Sequence, residues 1–387
     1  VKDFHSFYNN KDLHFYIDEK NNDWIGLPNQ MHLDTELLNN FLVSKLKERN
    51  IDIIEDTIND VIIDENGIKS LKCEVENYSY DYYVDCTGLK GVLIRKFDEI
   101  KWNSQKNHLP LDRALPFRTT HIEEKDFYTG ACAMNNGWMW KVPVQSRIGW
   151  GYVFSSDFAT DVDCHGEIVN ALTFDNSEEQ DHFRVINFEA GRLNKSSIKN
   201  VTAIGLSSQF YEPLEATNIT SGILSSIFLG RNLERYNTNN FTKKINDHFD
   251  RLCNNLSTFI QLHYIVDRED TPFWKHVKHN LVPYDLLIEI IEIVSHSGLL
   301  RDDDIDHQDL LFGSQNFNQV MYYLGLLDVS KNNKFLSNMS ENDLNFIRDV
   351  SFNHPSNRFG PWLEARDFFE VFKNYKTPNE VQELWKW

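Results

Sequence analysis

The segment Ile204-Gly-Leu-Ser-Ser-Gln-Phe-Tyr-Glu-Pro-Leu-Glu-Ala-Thr-Asn-Ile219 carries a short apolar strand, Asn200–Leu206, into a helix expected from about Thr217 to Tyr236. Pro213 suits the first turn of a helix, because the N–H that proline lacks would have met no helical carbonyl there. Free N–H groups at such a terminus, with the positive end of the helix dipole, form a ready anion site. Read from the residues alone, Glu215 is most simply a first-turn acid that complements that dipole.

Upstream of this segment the pattern is that of a nucleotide-binding α/β module. Thr35–Asn50 reads as a helix, with Leu37, Leu38, Phe41, Leu42 and Leu46 on one face. Strands are expected at Ile51–Glu55 and Asp60–Asp64, the second turning at Asn66-Gly67. A further strand, Tyr80–Asp85, closes on Cys86-Thr87-Gly88. Helix, hairpin, then a strand ending on a glycine turn is the layout of the later part of such a module.

The middle of the chain, with strands expected at Trp138–Val144, Arg147–Ser155 and Phe183–Arg192, reads as a sheet rich in aromatic and β-branched residues. Beyond the 204–219 segment, helices are expected at Phe241–Phe259, Leu281–Ser295, Phe317–Leu327 and Ser340–Ser351. The expected class is therefore α/β, with residues 1–236 as the module and its central sheet, and 237–387 as a mainly helical region packed on it.

Composition narrows the partners. A net charge of −19 argues against nucleic acid or an anionic membrane surface, since phosphate must be met by Lys and Arg. The cysteines (Cys73, Cys86, Cys132, Cys164, Cys253) are scattered without a C-x-x-C pair, so no metal site and a reduced, cytoplasmic protein are expected. No apolar run approaches the ~18 residues that span a bilayer, and no signal peptide is evident.

Two motifs together change the reading of Glu215. Phe210-Tyr-Glu-Pro-Leu-Glu-Ala-Thr-Asn218, following the Gly205-Leu206 turn, resembles the hallmark of the flavin-dependent tryptophan halogenases, and Trp138-Met-Trp-Lys-Val-Pro143 is similar to that family's W-x-W-x-I-P. Weaker likenesses lie at His32-Leu33-Asp34, Asp85-Cys86-Thr87-Gly88, Leu109–Ala114, Gly149–Ser156, His263-Tyr264 and Asp270–Trp274, so that the resemblance runs from about Met31 to Trp274.

The resemblance implies a flavoprotein-monooxygenase-like fold and an oxidoreductase using FAD, reduced by a separate flavin reductase, with dioxygen and a halide. By position it makes Glu215 catalytic, gives the halide to Thr217 and the backbone amide of Asn218, and places Ile58, Gly205, Leu206 and Ile219 at the flavin. Trp138, Trp140 and Pro143 would line the passage along which hypohalous acid reaches an electron-rich aromatic substrate. Ala216, Asn218 and Gln209 depart from the family's usual Ser, Gly and Gly, which bears on halide preference. The family's G-x-G-x-x-G and its catalytic lysine find no counterpart before His32, so roughly a hundred further N-terminal residues are expected and no lysine is named. The rival readings are a flavin-dependent aromatic monooxygenase and a non-catalytic truncated homologue. Substrate identity is not legible, and a homo-oligomer is left open.

Overall fold

The computed structural model describes residues 32–120, 129–144, 147–172, 184–238, 240–306, 309–328, 331 and 340–342, and the backbone of strands 13–18, 23–26 and 362–364. The first half of the described chain runs α1 (Thr35–Glu48), β1 (Ile58–Asp64), β2 (Gly67–Cys73), β3 (Tyr83–Asp85), β4 (Arg113–Thr120), β5 (Gly130–Ala133), β6 (Gly137–Val144) and β7 (Arg147–Phe154). There follow α2 (Asp161–Ala171), β8 (Ile186–Asn187), β9 (Gly191–Leu193), β10 (Val201–Ala203), α3 (Thr217–Asn232), α4 (Phe241–Leu262), α5 (Pro272–Asn280), α6 (Asp285–Ser297) and α7 (Ser314–Tyr323).

Helix α1 begins where Asp34 accepts from the backbone N–H groups of Glu36 and Leu37, and it ends before Asn50, whose φ of 54° is left-handed. Its apolar face, Leu37, Phe41, Leu42 and Leu46, stays exposed. The strand expected at Ile51–Glu55 does not form. Ile51, Ile53 and Ile54 are exposed, and β-branched residues make a strand only where a partner and a packing surface exist. The hairpin is formed by β1 and β2 instead, with Asp64 paired to Gly67. Gly67 is required there: a side chain would overlap Asn200, whose Oδ1 accepts from Ile68 N–H at 2.8 Å.

The main sheet is antiparallel, in the order β8-β4-β7-β6-β5. Its central pair matches Trp138 with Val153 and Trp140 with Gly151. The strand expected over Phe183–Arg192 is broken in two, because Phe188 and Ala190 turn into the core between β8 on this sheet and β9 on Trp102–Ser104; Phe183 lies outside the described residues. Tyr80–Asp85 and Asn200–Leu206 shorten to β3 and β10, which pair in parallel.

The largest core cluster joins Trp138 and Val153 of the sheet to Phe249, Leu252, Leu256, Phe259 and Ile260 of α4, and extends to Met321 of α7. The helical region therefore packs on the sheet, and one core draws on residues from both sides of residue 236. A second cluster gathers Val61, Ile68, Tyr83, Ile94 and Val201. The helix expected at Leu281–Ser295 starts only at Asp285, after Pro283, and α5, opened by Thr271 and Pro272, was not expected. Most of the helix expected at Ser340–Ser351 lies outside the described residues. Among the described residues no helix is long and apolar enough to cross a membrane.

Candidate active site

The parallel strands β3 and β10 end side by side, each on a glycine turn, and the turns Gly88–Lys90 and Gly205–Ser207 pack together. In an open α/β arrangement ligands bind beyond the carboxyl ends of such strands. The first turn is fixed by Asp85, fully buried, whose carboxylate accepts from Thr87 N–H and Oγ1 and from Leu93 and Ile94 N–H, at 2.7–2.9 Å. Gly88 (φ 71°) and Gly205 (φ 66°) are left-handed, and a Cβ on either would meet open space. Leu206, next to Gly205, and Ile219, on the helix α3 that packs on this turn, are 39% and 54% exposed. Open glycine turns flanked by apolar side chains suit a flat aromatic ring, so these residues fit a flavin. Ile58 packs against the second core cluster, the ordinary place for an apolar strand residue.

From Gly205 the chain reaches the turn that carries the candidate acid. The helix opens at Thr217, where it was expected, and Pro213 does not sit in its first turn: a short 3-10 turn, Leu214–Ala216, lies between them. Glu215 (φ 58°) and Ala216 (φ 51°) are both left-handed, a conformation costing roughly 1–2 kcal/mol per non-glycine residue. Strain of this kind concentrates at functional sites. Asn218 is helical.

Ala216 is the residue immediately before the helix and offers no side-chain acceptor, so the start of α3 has no side-chain cap, although the Thr217 N–H itself donates to the Leu214 carbonyl. Within that end of the helix the Thr217 hydroxyl is buried without a partner, as is Asn218 Oδ1. Gln209 Nε2 donates to Ser221 Oγ at 2.8 Å, and Ser221 donates to the Asn218 carbonyl at 3.1 Å, bracing the first turn from behind. A buried hydroxyl and uncapped amides at a helix N-terminus make a site for a small anion.

Glu215 faces His263, with Oε1 at 3.8 Å from Nε2. His263 sits just past the end of α4, and its Nδ1 lies 2.9 Å from the Phe259 carbonyl. Assigning the proton to Nδ1, which that carbonyl requires, leaves Nε2 as the atom presented to the carboxylate. Burial pushes the His263 pKa down, against the upward pull of the Phe259 carbonyl and the Glu215 carboxylate. The pairing was invisible in the sequence, where His263 and Glu215 are far apart.

The next residue, Tyr264, grips the other acid of the turn. Glu212 is 1% exposed, and its Oε2 accepts from Tyr264 Oη at 2.8 Å and from Trp138 Nε1 at 3.1 Å, while Oε1 has no partner. Burial pushes the Glu212 pKa up to about 7, only partly offset by those donors. Sequence reading gave Glu212 no role of its own; its one signal was an acid set between Tyr211 and Pro213. A carboxyl whose folded pKa lies above its unfolded value contributes stability below the unfolded value and loses it as pH rises toward the folded one. Comparing chemical melts of the parent and Glu212→Gln should thus show the variant gaining on the parent from pH 4.5 to pH 7, by on the order of 3 kcal/mol. A difference that stays flat with pH would contradict the raised pKa.

Trp138 is 8% exposed and belongs to the main core, and the half-buried Trp140 packs against it, with ring centroids 6.1 Å apart. Trp140 lies over Gly151, where any side chain would overlap its ring. Pro143, buried on the same strand, accepts through its carbonyl from His32 Nδ1 at 2.8 Å, which ties the His32-Leu33-Asp34 segment to the sheet. The structure thus joins Trp138, Glu212, Glu215 and His263 through one turn, with Thr217 and Asn218 directly after it.

Residues 11–340 match the family model described as tryptophan halogenase. The chain belongs to the tryptophan halogenase family. It is 33% identical over 305 residues to the tryptophan 7-halogenase RebH of Lentzea aerocolonigenes, covering 76% of this chain and 56% of that protein. To the tryptophan 6-halogenase ThaL of Streptomyces albogriseolus it is 32% identical over 251 residues, 62% and 45% of the two chains. The chain thus spans about half the length of these family members. Among solved structures, the flavin-dependent halogenase BrvH from Brevundimonas sp. BAL3 superposes with a TM-score of 0.75 at 25% identity, over 88% of this chain and 68% of that one. The α/β class expected from the sequence agrees with that likeness.

Proposed function

We propose that the protein is a flavin-dependent halogenase acting on an electron-rich aromatic compound, with reduced FAD delivered by a separate reductase. The observation that carries this reading is the buried, unpartnered Thr217 hydroxyl at an uncapped helix terminus, directly after a strained turn that presents Glu215. Gly88, Gly205, Leu206 and Ile219 would hold the flavin. Bound there in reduced form, FAD supplies with dioxygen the oxidising equivalent that converts halide to hypohalous acid.

The chain's own residues do the rest. Thr217 Oγ1 and the first N–H groups of α3 hold the halide, and burial lowers the competition from water. Trp138 and Trp140 keep the oxidant from water along its passage. At the substrate a carbon–halogen bond forms as the halogen–oxygen bond breaks and hydroxide departs; the aromatic carbon gives up its proton to Glu215, which passes it on so that the oxygen ends as water. Glu215 is suited to this because it is exposed on the turn, and the bare Nε2 of His263, 3.8 Å from Oε1, can take the proton on.

The test is to supply reduced FAD and dioxygen to the full-length protein with an indole or phenol panel, with and without bromide. Halogenated product that requires halide supports the reading, whereas hydroxylated product formed equally without halide would favour an aromatic monooxygenase. In the same assay, equimolar chloride and bromide should give at least as much brominated as chlorinated product. Asn218 adds a side chain beside the site and Ala216 removes a hydroxyl from it, favouring the ion that sheds water at lower cost. Asn218→Gly should move the ratio toward chloride by about threefold or more; a chloride preference untouched by that change would refute the argument.

A further inference from the structure

Glu212 is the buried acid for which the proposed reaction has no use. An apolar side chain at this place would pack without the desolvation that a carboxyl suffers, so what the carboxyl contributes lies in the bonds its oxygens make. Oε2 takes two donors from separate elements: the Trp138 indole on β6 and the Tyr264 phenol just past α4. Tyr264 adjoins His263, which faces Glu215, so the end of α4 holds both acids of the Glu212-Pro-Leu-Glu215 turn. Trp138 in turn stacks at a tilt on Trp140.

We propose that Glu212 is a positioning residue whose carboxyl ties the tryptophan wall to the turn presenting Glu215, so that oxidant passage and acid stay in register. The inference rests on the halogenase reading for its consequence in catalysis, while the tie itself is a property of the folded chain. Among the described residues, the titratable groups that face Glu212 are the phenols of Tyr264 and, farther off, Tyr284, each pushed up by burial and so neutral around pH 7. Trp138, the remaining partner, does not ionise. A change near neutral pH at Trp138 that disappears in Glu212→Gln is therefore the titration of Glu212.

The experiment uses the full-length protein labelled with 15N-tryptophan, with the Trp138 indole N–H assigned through Trp138→Phe. In the parent this signal should shift with a midpoint of about 7. In Glu212→Gln, whose amide oxygen still accepts from both donors, it should stay in place and not titrate. In Glu212→Leu it should move, and its exchange with solvent should quicken by at least about tenfold. Peroxide released per halogenated product should rise about fivefold or more in Glu212→Leu and remain within about twofold of the parent in Glu212→Gln. A Trp138 signal that does not titrate in the parent, or that titrates with the same midpoint in Glu212→Gln, overturns the tie, and this comparison stands even if Glu212→Leu fails to fold. A peroxide-to-product ratio equal in the parent and Glu212→Leu overturns the positioning role. Absence of halogenated product from the parent would sink the halogenase reading, and with it the consequence in catalysis, while leaving the Trp138 signal to decide the tie.

Discussion

Glu215→Gln is expected to lower halogenation by at least about tenfold while flavin affinity and thermal stability match the parent. Glutamine preserves the length of the side chain and can adopt the same left-handed turn, so Leu214–Ala216 and the start of α3 should be undisturbed. What it removes is a base. The amide cannot take the proton that leaves the aromatic carbon, and His263 at 3.8 Å is left facing a neutral group. Turnover with bromide and flavin binding, measured on one preparation, separate these effects. Unchanged turnover would return Glu215 to a first-turn acid that does no more than complement the helix dipole. Loss of activity together with flavin affinity would instead mark the turn as structural.

The tryptophans should part company when each is replaced by alanine. Trp138→Ala removes a core side chain and leaves Glu212 with one donor fewer, so a loss of about 3–5 kcal/mol in folding stability is expected. Trp140 is half-buried and packs against the core from its edge, so Trp140→Ala should cost less stability. Its larger effect should fall on containment, with peroxide released per product rising about threefold or more as water reaches the oxidant. Melting curves and a peroxide assay run in parallel give the answer. Product and peroxide falling together, at a constant ratio, would make Trp140 a packing residue only.

Periodicity and turn chemistry carried a good deal of the architecture. Helices α1 and α4 and the hairpin of β6 and β7 were legible within a few residues, because strong alternation or helical spacing leaves a short segment little choice. The misread places share a cause. Ile51–Glu55 has the composition of a strand and found no ladder, and Phe183–Arg192 was broken where Phe188 and Ala190 entered the core. Propensity states what a segment can do, and pairing decides whether it does.

At the site the division is sharper. The sequence alone determined which residue types stand together: Glu215, Thr217 and Asn218 within one turn, the glycine at 205 before them, and Trp138 with Trp140 on one face of a strand. These are local facts, and a motif of contiguous residues can express them. Only the tertiary structure decided that Pro213 does not start the helix, that Glu215 and Ala216 turn left-handed, and that Thr217 is left buried without a partner. It alone brought His263 to Glu215, and Tyr264 and Trp138 to Glu212. Those pairs join residues about 50 to 75 positions apart, so no local spacing could signal them. They exist because α4 and the main sheet close one core over the turn, and a carboxyl trapped there must take whatever donors the packing supplies.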